Sequence, residues 1–207
     1  MRILITGGSG FVGSRLALEL QKDDDVTILD NFASGDYKNL MNFKGDIVTG
    51  DITKSETLRK IEEPDIILHQ AAITDTTTKD QNTMFSVNVE GFRNILNYAN
   101  TNNIDVVYAS SAGVYGNGPI PMKEDSSQPL NIYSFSKLAM DNLAKNYMND
   151  GINIIGLRYF NVFGPGEEFK GKAASMIYQL ALQMKKGRPK IFKHGEQKRD
   201  HIYVKDV

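Results

Sequence analysis

A phenol and an amine stand at one-turn spacing in Tyr133-Ser134-Phe135-Ser136-Lys137, and a hydroxyl, Ser111, precedes them in the chain. On a helix this spacing puts Tyr133 and Lys137 on one face, one above the other. A tyrosine hydroxyl titrates near ~10 in water, and a lysine ammonium fixed beside it favours the phenolate. Such a pair can take and return a proton near neutral pH, which a lone tyrosine cannot. The same spacing also fits an ordinary amphipathic helix with a solvated lysine. The elements around the pair decide between the two.

Arg2 to Thr6 is a short apolar run, suited to a strand covered on both faces. It runs into Gly7-Gly8-Ser9-Gly10-Phe11-Val12-Gly13, and Ser14 to Gln21 reads as a helix. Strand, glycine turn and helix N-terminus form an anion site, because free N–H groups and the helix dipole point at a pyrophosphate. Gly7 permits the tight turn, Gly10 the approach of phosphate, and Gly13 the packing of helix on strand. Val26 to Leu29 reads as a second strand, ending in Asp30-Asn31. An acid there accepts both adenosine ribose hydroxyls and repels a 2′-phosphate, which favours NAD. Lys38 keeps NADP possible.

Asp46 to Ile52 gives a third strand, with Asp51 and Ile52 where an adenine could rest; Asp51 reads equally as the cap of a short helix over 53–61. Asp65 to His69 is the fourth strand. Gln70-Ala71-Ala72 follows it, small enough in its alanines for a cofactor to pass closely. His69 reads as a packed strand-end histidine rather than a catalyst. Thr74-Asp75-Thr76-Thr77-Thr78 is a hydroxyl-rich loop placed where a sugar would lie. Gln81 to Asn100 reads as a long helix, with Asn88 polar among core positions. Ile104 to Ala109 is a fifth strand, which leads into Ser110-Ser111. Asn131 or Ser134 starts a helix running to about Asn149, and Ile152 to Arg158 is the sixth strand. Strands alternating with helices predict an α/β fold, a doubly wound parallel sheet.

The composition agrees with an enzyme of this class. A net charge of -1 gives no electrostatic reason to expect nucleic acid. With no Cys and only three His, none in ligand spacing, no metal site is expected. No basic segment followed by an apolar run marks a leader or a membrane span, so a cytoplasmic enzyme is expected.

Taken together, Thr6 to Gly13, Ser111, Tyr133-x-x-x-Lys137, Arg158-Tyr159-Phe160-Asn161-Val162-Phe163-Gly164-Pro165 and Arg199-Asp200 resemble the extended short-chain dehydrogenase/reductase superfamily. Within it the pattern is similar to the nucleotide-sugar epimerases and dehydratases. The resemblance implies that Tyr133 is the acid/base. Lys137 would hold the nicotinamide ribose and Ser111 would polarise the reacting oxygen. Phe160, unless it is core packing, borders the nicotinamide, and Asn161 the sugar. Arg199 reaches the substrate diphosphate, unless it is an exposed partner of Asp200. Dehydratases carry Thr-Asp-Glu before Val-Tyr-Gly, where this chain has Ser111, Ala112 and Gly113.

Ile73 to Thr77 and Phe169-Lys170-Gly171-Lys172-Ala173-Ala174-Ser175 most resemble the ADP-glyceromannoheptose 6-epimerases. That likeness implies sugar contacts at Thr74, Thr76 and Ala174, with Lys170 as a second base; a solvated loop lysine is the alternative. Asp30 to Gly35 is closer to the NAD-using UDP-hexose 4-epimerases. A reductase and a non-catalytic dinucleotide-binding regulator are the rival classes. The expected organisation is a dinucleotide domain over 1–165 and the start of a substrate region over 166–207, with the C-terminal substrate domain truncated. The resemblance also implies a homodimer through helices 81–100 and 131–149.

Overall fold

The computed structural model describes residues 1–148, 151–191 and 193–207. Six strands form one parallel sheet: β1 (Arg2–Thr6), β2 (Asp25–Asp30), β3 (Asp46–Thr49), β4 (Ile66–His69), β5 (Asp105–Ser111) and β6 (Ile154–Tyr159), in the order β3-β2-β1-β4-β5-β6. The chain winds outward from β1 to β3, then returns to β1's other side with β4. That reversal opens a crevice beyond the carboxyl ends of β1 and β4. Ile3, Leu4, Ile5, Val26, Ile28 and Leu29 are buried, as a sheet covered on both faces requires.

Helix α1 (Phe11–Leu20) covers one face through Ala17, packed with Ile3, Ile5, Val26 and Ile28. The other face lies under α2 (Gln81–Phe85), α3 (Gly91–Asn102) and α4 (Ile132–Tyr147), where Phe92, Ile95, Leu96 and Met140 close a second core with Leu4, Ile67 and Val106. The helix predicted over 81–100 is thus present but not uniform. A π-helical turn, Ser86–Glu90, joins α2 to α3 and carries Asn88 inward. Asn131 caps α4, accepting the Ser134 N–H at 2.8 Å; the expected end at Asn149 lies outside the described residues.

Three local expectations are corrected. The third strand stops at Thr49, and the short helix over 53–61 is a 3-10 turn, Ser55–Lys60. Strand β5 runs two residues beyond Ala109, so Ser110 and Ser111 belong to the sheet and not to the loop. A separate parallel pair, β7 (Asn161–Phe163) with β8 (His201–Tyr203), goes beyond the expected elements. Helix α5 (Met176–Met184) lies between them in sequence. Among the described residues no helix is long and apolar enough to cross a membrane.

Candidate active site

A cleft of about 720 Å³ lies over the switch point, lined by the glycine turn, the ends of β2, β4 and β5, the start of α4 and the 159–176 segment. Gly7 takes φ +71°, and a Cβ there would stand 2.6 Å from the Ala71 nitrogen, so the turn requires glycine. Gly10 is the N-cap of α1; no side chain caps the helix and its first turn holds no acid. The N-terminal pole therefore faces the cleft through Phe11, Val12 and Gly13. This suits a pyrophosphate. A Cβ on Gly13 would come 2.3 Å from the Gly7 oxygen. Gly13→Ala is expected to lower stability by about 1–3 kcal/mol and to weaken NAD binding, checked by thermal melts with and without NAD.

Asp30 lines the cleft and is 9% exposed. One of its oxygens accepts the Ser9 N–H at 2.9 Å, the other the Phe32 N–H at 2.8 Å. The acid predicted to meet the ribose is thereby fixed against the glycine turn. Asn31 lines the cleft beside it, its side chain accepting the Ala33 N–H. Lys38 is absent from the lining; its ammonium lies 5.6 Å over the Phe169 ring. Ile52 is on the wall, but Asp51 is not: its carboxylate accepts both the N–H and the hydroxyl of Thr53 at 2.9 Å. Asp51 is not the cap of the following segment either: that N-cap is Lys54, with no side-chain cap bond, and Asp51 instead closes a turn onto Thr53. Gln70, Ala71 and Ala72 line the wall after β4.

Asn88, expected at the cofactor, stands behind that wall. Its amide accepts from Ile73 N–H at 2.8 Å and donates to Ile73 O at 3.1 Å and Ser136 Oγ at 2.9 Å. Both its amide oxygen and its NH₂ group are engaged by protein, and it is absent from the cleft lining. It positions the loop after β4 against α4.

Ser111 and Tyr133 both line the cleft, near enough for the Ser111 hydroxyl to act on the Tyr133 phenol. The expectation that Lys137 pulls the Tyr133 pKa down is corrected. Burial pushes that hydroxyl up, opposed by the polar Ser111 side chain. Desolvation wins because the Lys137 ammonium is 6.0 Å from the Tyr133 ring centroid and donates to the Ala109 carbonyl at 2.7 Å. Lys137 is itself fully buried, and burial lowers its pKa to about 8, with Asp141 opposing.

His69 is packed, not cleft-lining: its ring stacks on Phe92 at 5.0 Å and its Nδ1 meets Thr6 Oγ1 at 2.7 Å. Burial drives its pKa down to about 3, with Lys137 adding to the effect. The unfolded imidazole titrates near ~6.5, so the folded state resists a proton that the unfolded chain accepts. The stability involved is complete above about pH 6.5 and lost as pH falls toward 3. His69→Gln should flatten that acid slope, measured by urea unfolding across the range.

The opposite part of the cleft is built from the 159–176 segment. Phe160 lines it, 6.3 Å from the Tyr115 ring. Asn161 lines it too, its amide donating to the Asp200 carbonyl at 2.8 Å and so holding β8 in register. That pairing brings Arg199 to the rim, its guanidinium donating to the Lys198 carbonyl rather than pairing with Asp200. Lys170 and Ala174 line the wall. Lys170 is not a solvated loop lysine: its ammonium lies 5.1 Å over the Phe11 ring and burial lowers its pKa, opposed by Glu167. Thr74 lines the cleft, but Thr76 is exposed and lies outside the lining.

Sequence reasoning missed the support behind these groups. Tyr159 lines the cleft together with Gln70, and burial holds its hydroxyl above the ordinary tyrosine range. Asp141, one turn beyond Lys137, accepts the Tyr108 hydroxyl at 3.0 Å and the Arg158 guanidinium at 3.1 Å, tying α4 to β5 and β6. The spacing of Asp141 from Lys137 was the one signal available for it.

A doubly wound sheet whose switch point joins a glycine-turn anion site to Ser111, Tyr133 and Lys137 defines a dinucleotide-dependent enzyme of the extended short-chain dehydrogenase/reductase type. The family model described as the NAD dependent epimerase/dehydratase family matches residues 3–207, and the chain belongs to that family. It is 39% identical to the ADP-L-glycero-D-manno-heptose-6-epimerase of Brachyspira hyodysenteriae, covering 99% of this chain and 69% of that protein. The crystal structure of the Helicobacter pylori enzyme of the same description superposes with TM-score 0.93 at 44% identity, covering 99% of this chain and 70% of that one. A UDP-N-acetylglucosamine 4-epimerase from Methanobrevibacter ruminantium superposes with TM-score 0.92 at 31% identity, over 99% and 69%.

Proposed function

We propose that this nucleotide-sugar epimerase inverts C6 of an ADP-glycero-manno-heptose, using NAD that stays bound through each turnover. The observation that carries the choice of sugar is Lys170, a partly desolvated amine on the wall of the cleft that also holds Ser111 and Tyr133. Two proton carriers on separate elements suit a reaction that must serve both faces of one carbon.

Bound NAD would accept the hydride of the carbon being inverted and return it, and its positive nicotinamide would favour loss of the Tyr133 proton. Tyr133, beside Ser111 on the cleft wall, takes the hydroxyl proton as the C–H bond breaks, which leaves a ketone on the sugar. The ketone turns its other face, and Lys170 gives a proton to its oxygen as the hydride returns; Tyr133 then releases its proton and Lys170 regains one from solvent, so no net proton is consumed. The α1 N-terminus and Gly10 would hold the pyrophosphate and Asp30 the ribose, so the protein supplies position and proton transfer. Asp30 supports NAD over NADP, because its carboxylate lies on the wall where a 2′-phosphate would come. Asp30→Ala should narrow the preference for NAD at least ~10-fold, read from the two dissociation constants.

In this reading the enzyme is cytoplasmic and homodimeric. Phe135 at 52% and Leu130 at 65% exposure form an apolar strip at the start of α4 that supports pairing there. The test of the sugar is full-length protein with catalytic NAD, offered ADP-heptose and UDP-galactose separately and followed by NMR. Inversion at the heptose C6 is expected. Inversion at the hexose C4, favoured by the Asp30 to Gly35 sequence, would overturn the heptose reading.

A further inference from the structure

Glu167 is only 2% exposed and opens the 3-10 segment Glu167–Ala173. Its Oε1 accepts the Gly164 N–H at 3.0 Å and the Ser175 hydroxyl at 2.9 Å, and its Oε2 accepts the Ser175 N–H at 2.6 Å. Among the described residues no cation pairs with it; three donors offset the cost of burying the carboxylate. Those donors come from the two ends of one loop. Gly164 follows β7, and Ser175 caps α5, accepting the Tyr178 N–H at 3.2 Å.

Lys170 lies within the loop so closed. With three residues per 3-10 turn, Glu167 and Lys170 fall on the same edge of the segment. We propose that Glu167 is a positioning residue: by joining Gly164 to Ser175 it closes the loop that carries Lys170 and holds the amine on the cleft wall. This rests on the reading of Lys170 as the second proton carrier.

The charge of Glu167 also favours the Lys170 ammonium. Among the described side chains, the other charged groups at this loop are Arg15, which packs against Gly166, Glu168, which accepts the Gly166 N–H, and Lys38 over Phe169; Lys172 also belongs to the segment in sequence. Arg15, Glu168 and Lys38 are not causes of the Lys170 shift. Tyr133 and Lys137 face the same cleft from α4.

Glutamine at 167 keeps one oxygen to accept from Gly164 and the Ser175 hydroxyl, but it sets an NH₂ group against the Ser175 N–H in place of the Oε2 acceptor and removes the charge, so the clamp is weakened at Ser175. Aspartate keeps the charge but is one methylene too short. The test compares full-length wild type, Glu167→Gln, Glu167→Asp and Lys170→Ala on ADP-heptose, with amide hydrogen exchange of each. Both Glu167 variants are expected to lose about 100-fold in kcat, the cost of a misplaced group. Both should exchange faster at Gly164 and Ser175. Only Glu167→Gln should move the pH–rate limb of Lys170 to lower pH, since only it removes the charge. If Glu167→Gln fails to fold, Glu167→Asp decides by its kcat and exchange.

Wild-type kcat and exchange in the Glu167 variants, with Lys170→Ala inactive, would overturn the clamp and leave Lys170 its role. Wild-type inversion by Lys170→Ala would remove the second-base reading, and the clamp's purpose with it.

Discussion

Tyr133→Phe should lower kcat about 10²- to 10⁴-fold with little change in KM or thermal stability. That range is what a positioned acid–base group contributes. The phenyl ring keeps the packing of the start of α4, and the neighbouring Ser111 retains its bond from the Gly113 N–H at 3.1 Å. A loss confined to kcat would mark an interaction realised only in the transition state. Because burial holds the Tyr133 pKa above its ordinary value, the wild-type rate should rise with pH until the phenolate forms. That limb should be missing from the Phe variant. Steady-state kinetics over the alkaline range with stopped-assay product analysis checks both expectations.

Lys137→Met should abolish turnover and raise stability at once. The folded protein holds Lys137 at a pKa of about 8 against 10.5 for the free side chain. Between those values the unfolded chain binds the proton that the folded chain releases, so stability rises with pH across that window. Below about pH 8 the full cost is present. That cost is on the order of 3 kcal/mol at most, lessened by the bond to the Ala109 carbonyl, which methionine cannot make. Methionine fills similar volume without a charge, so the variant should melt several degrees higher at neutral pH. Its melting temperature should also lose the rise between pH 8 and 10.5. A lower melting temperature in Lys137→Met would mean that the carbonyl bond outweighs the desolvation.

The cofactor half of this protein was legible because its rules are local. Buried parallel strands read as apolar runs, and only glycine fits at Gly7 and Gly13, where a Cβ would meet backbone at 2.6 and 2.3 Å. Ser111 and Tyr133-x-x-x-Lys137 were legible as a constellation, but the burial around them was not. Burial decides that Tyr133 rises rather than falls. The same holds for Asn88: a polar residue among core positions signals a partner, but not that the partner is the Ile73 backbone. Least legible was the pairing of β7 with β8. Strands of three residues carry no periodicity, and their contact spans the whole 164–200 stretch. Glu167 escaped notice for a like reason. In a segment rich in Glu and Lys, nothing in sequence separates a solvated acid from one holding three donors.

The central claim is that inversion proceeds through oxidation and re-reduction at one carbon, with the hydride never leaving the cleft. The measurement is turnover of ADP-heptose deuterated at C6, in ordinary water, with full-length enzyme and excess free NAD. Full retention of deuterium at the inverted C6 is expected, with none in the solvent or in free NADH. Washout to solvent would contradict it, because the carbon would then be inverted by loss and gain of a proton. Label in free NADH would contradict the retained cofactor and make the protein a dehydrogenase.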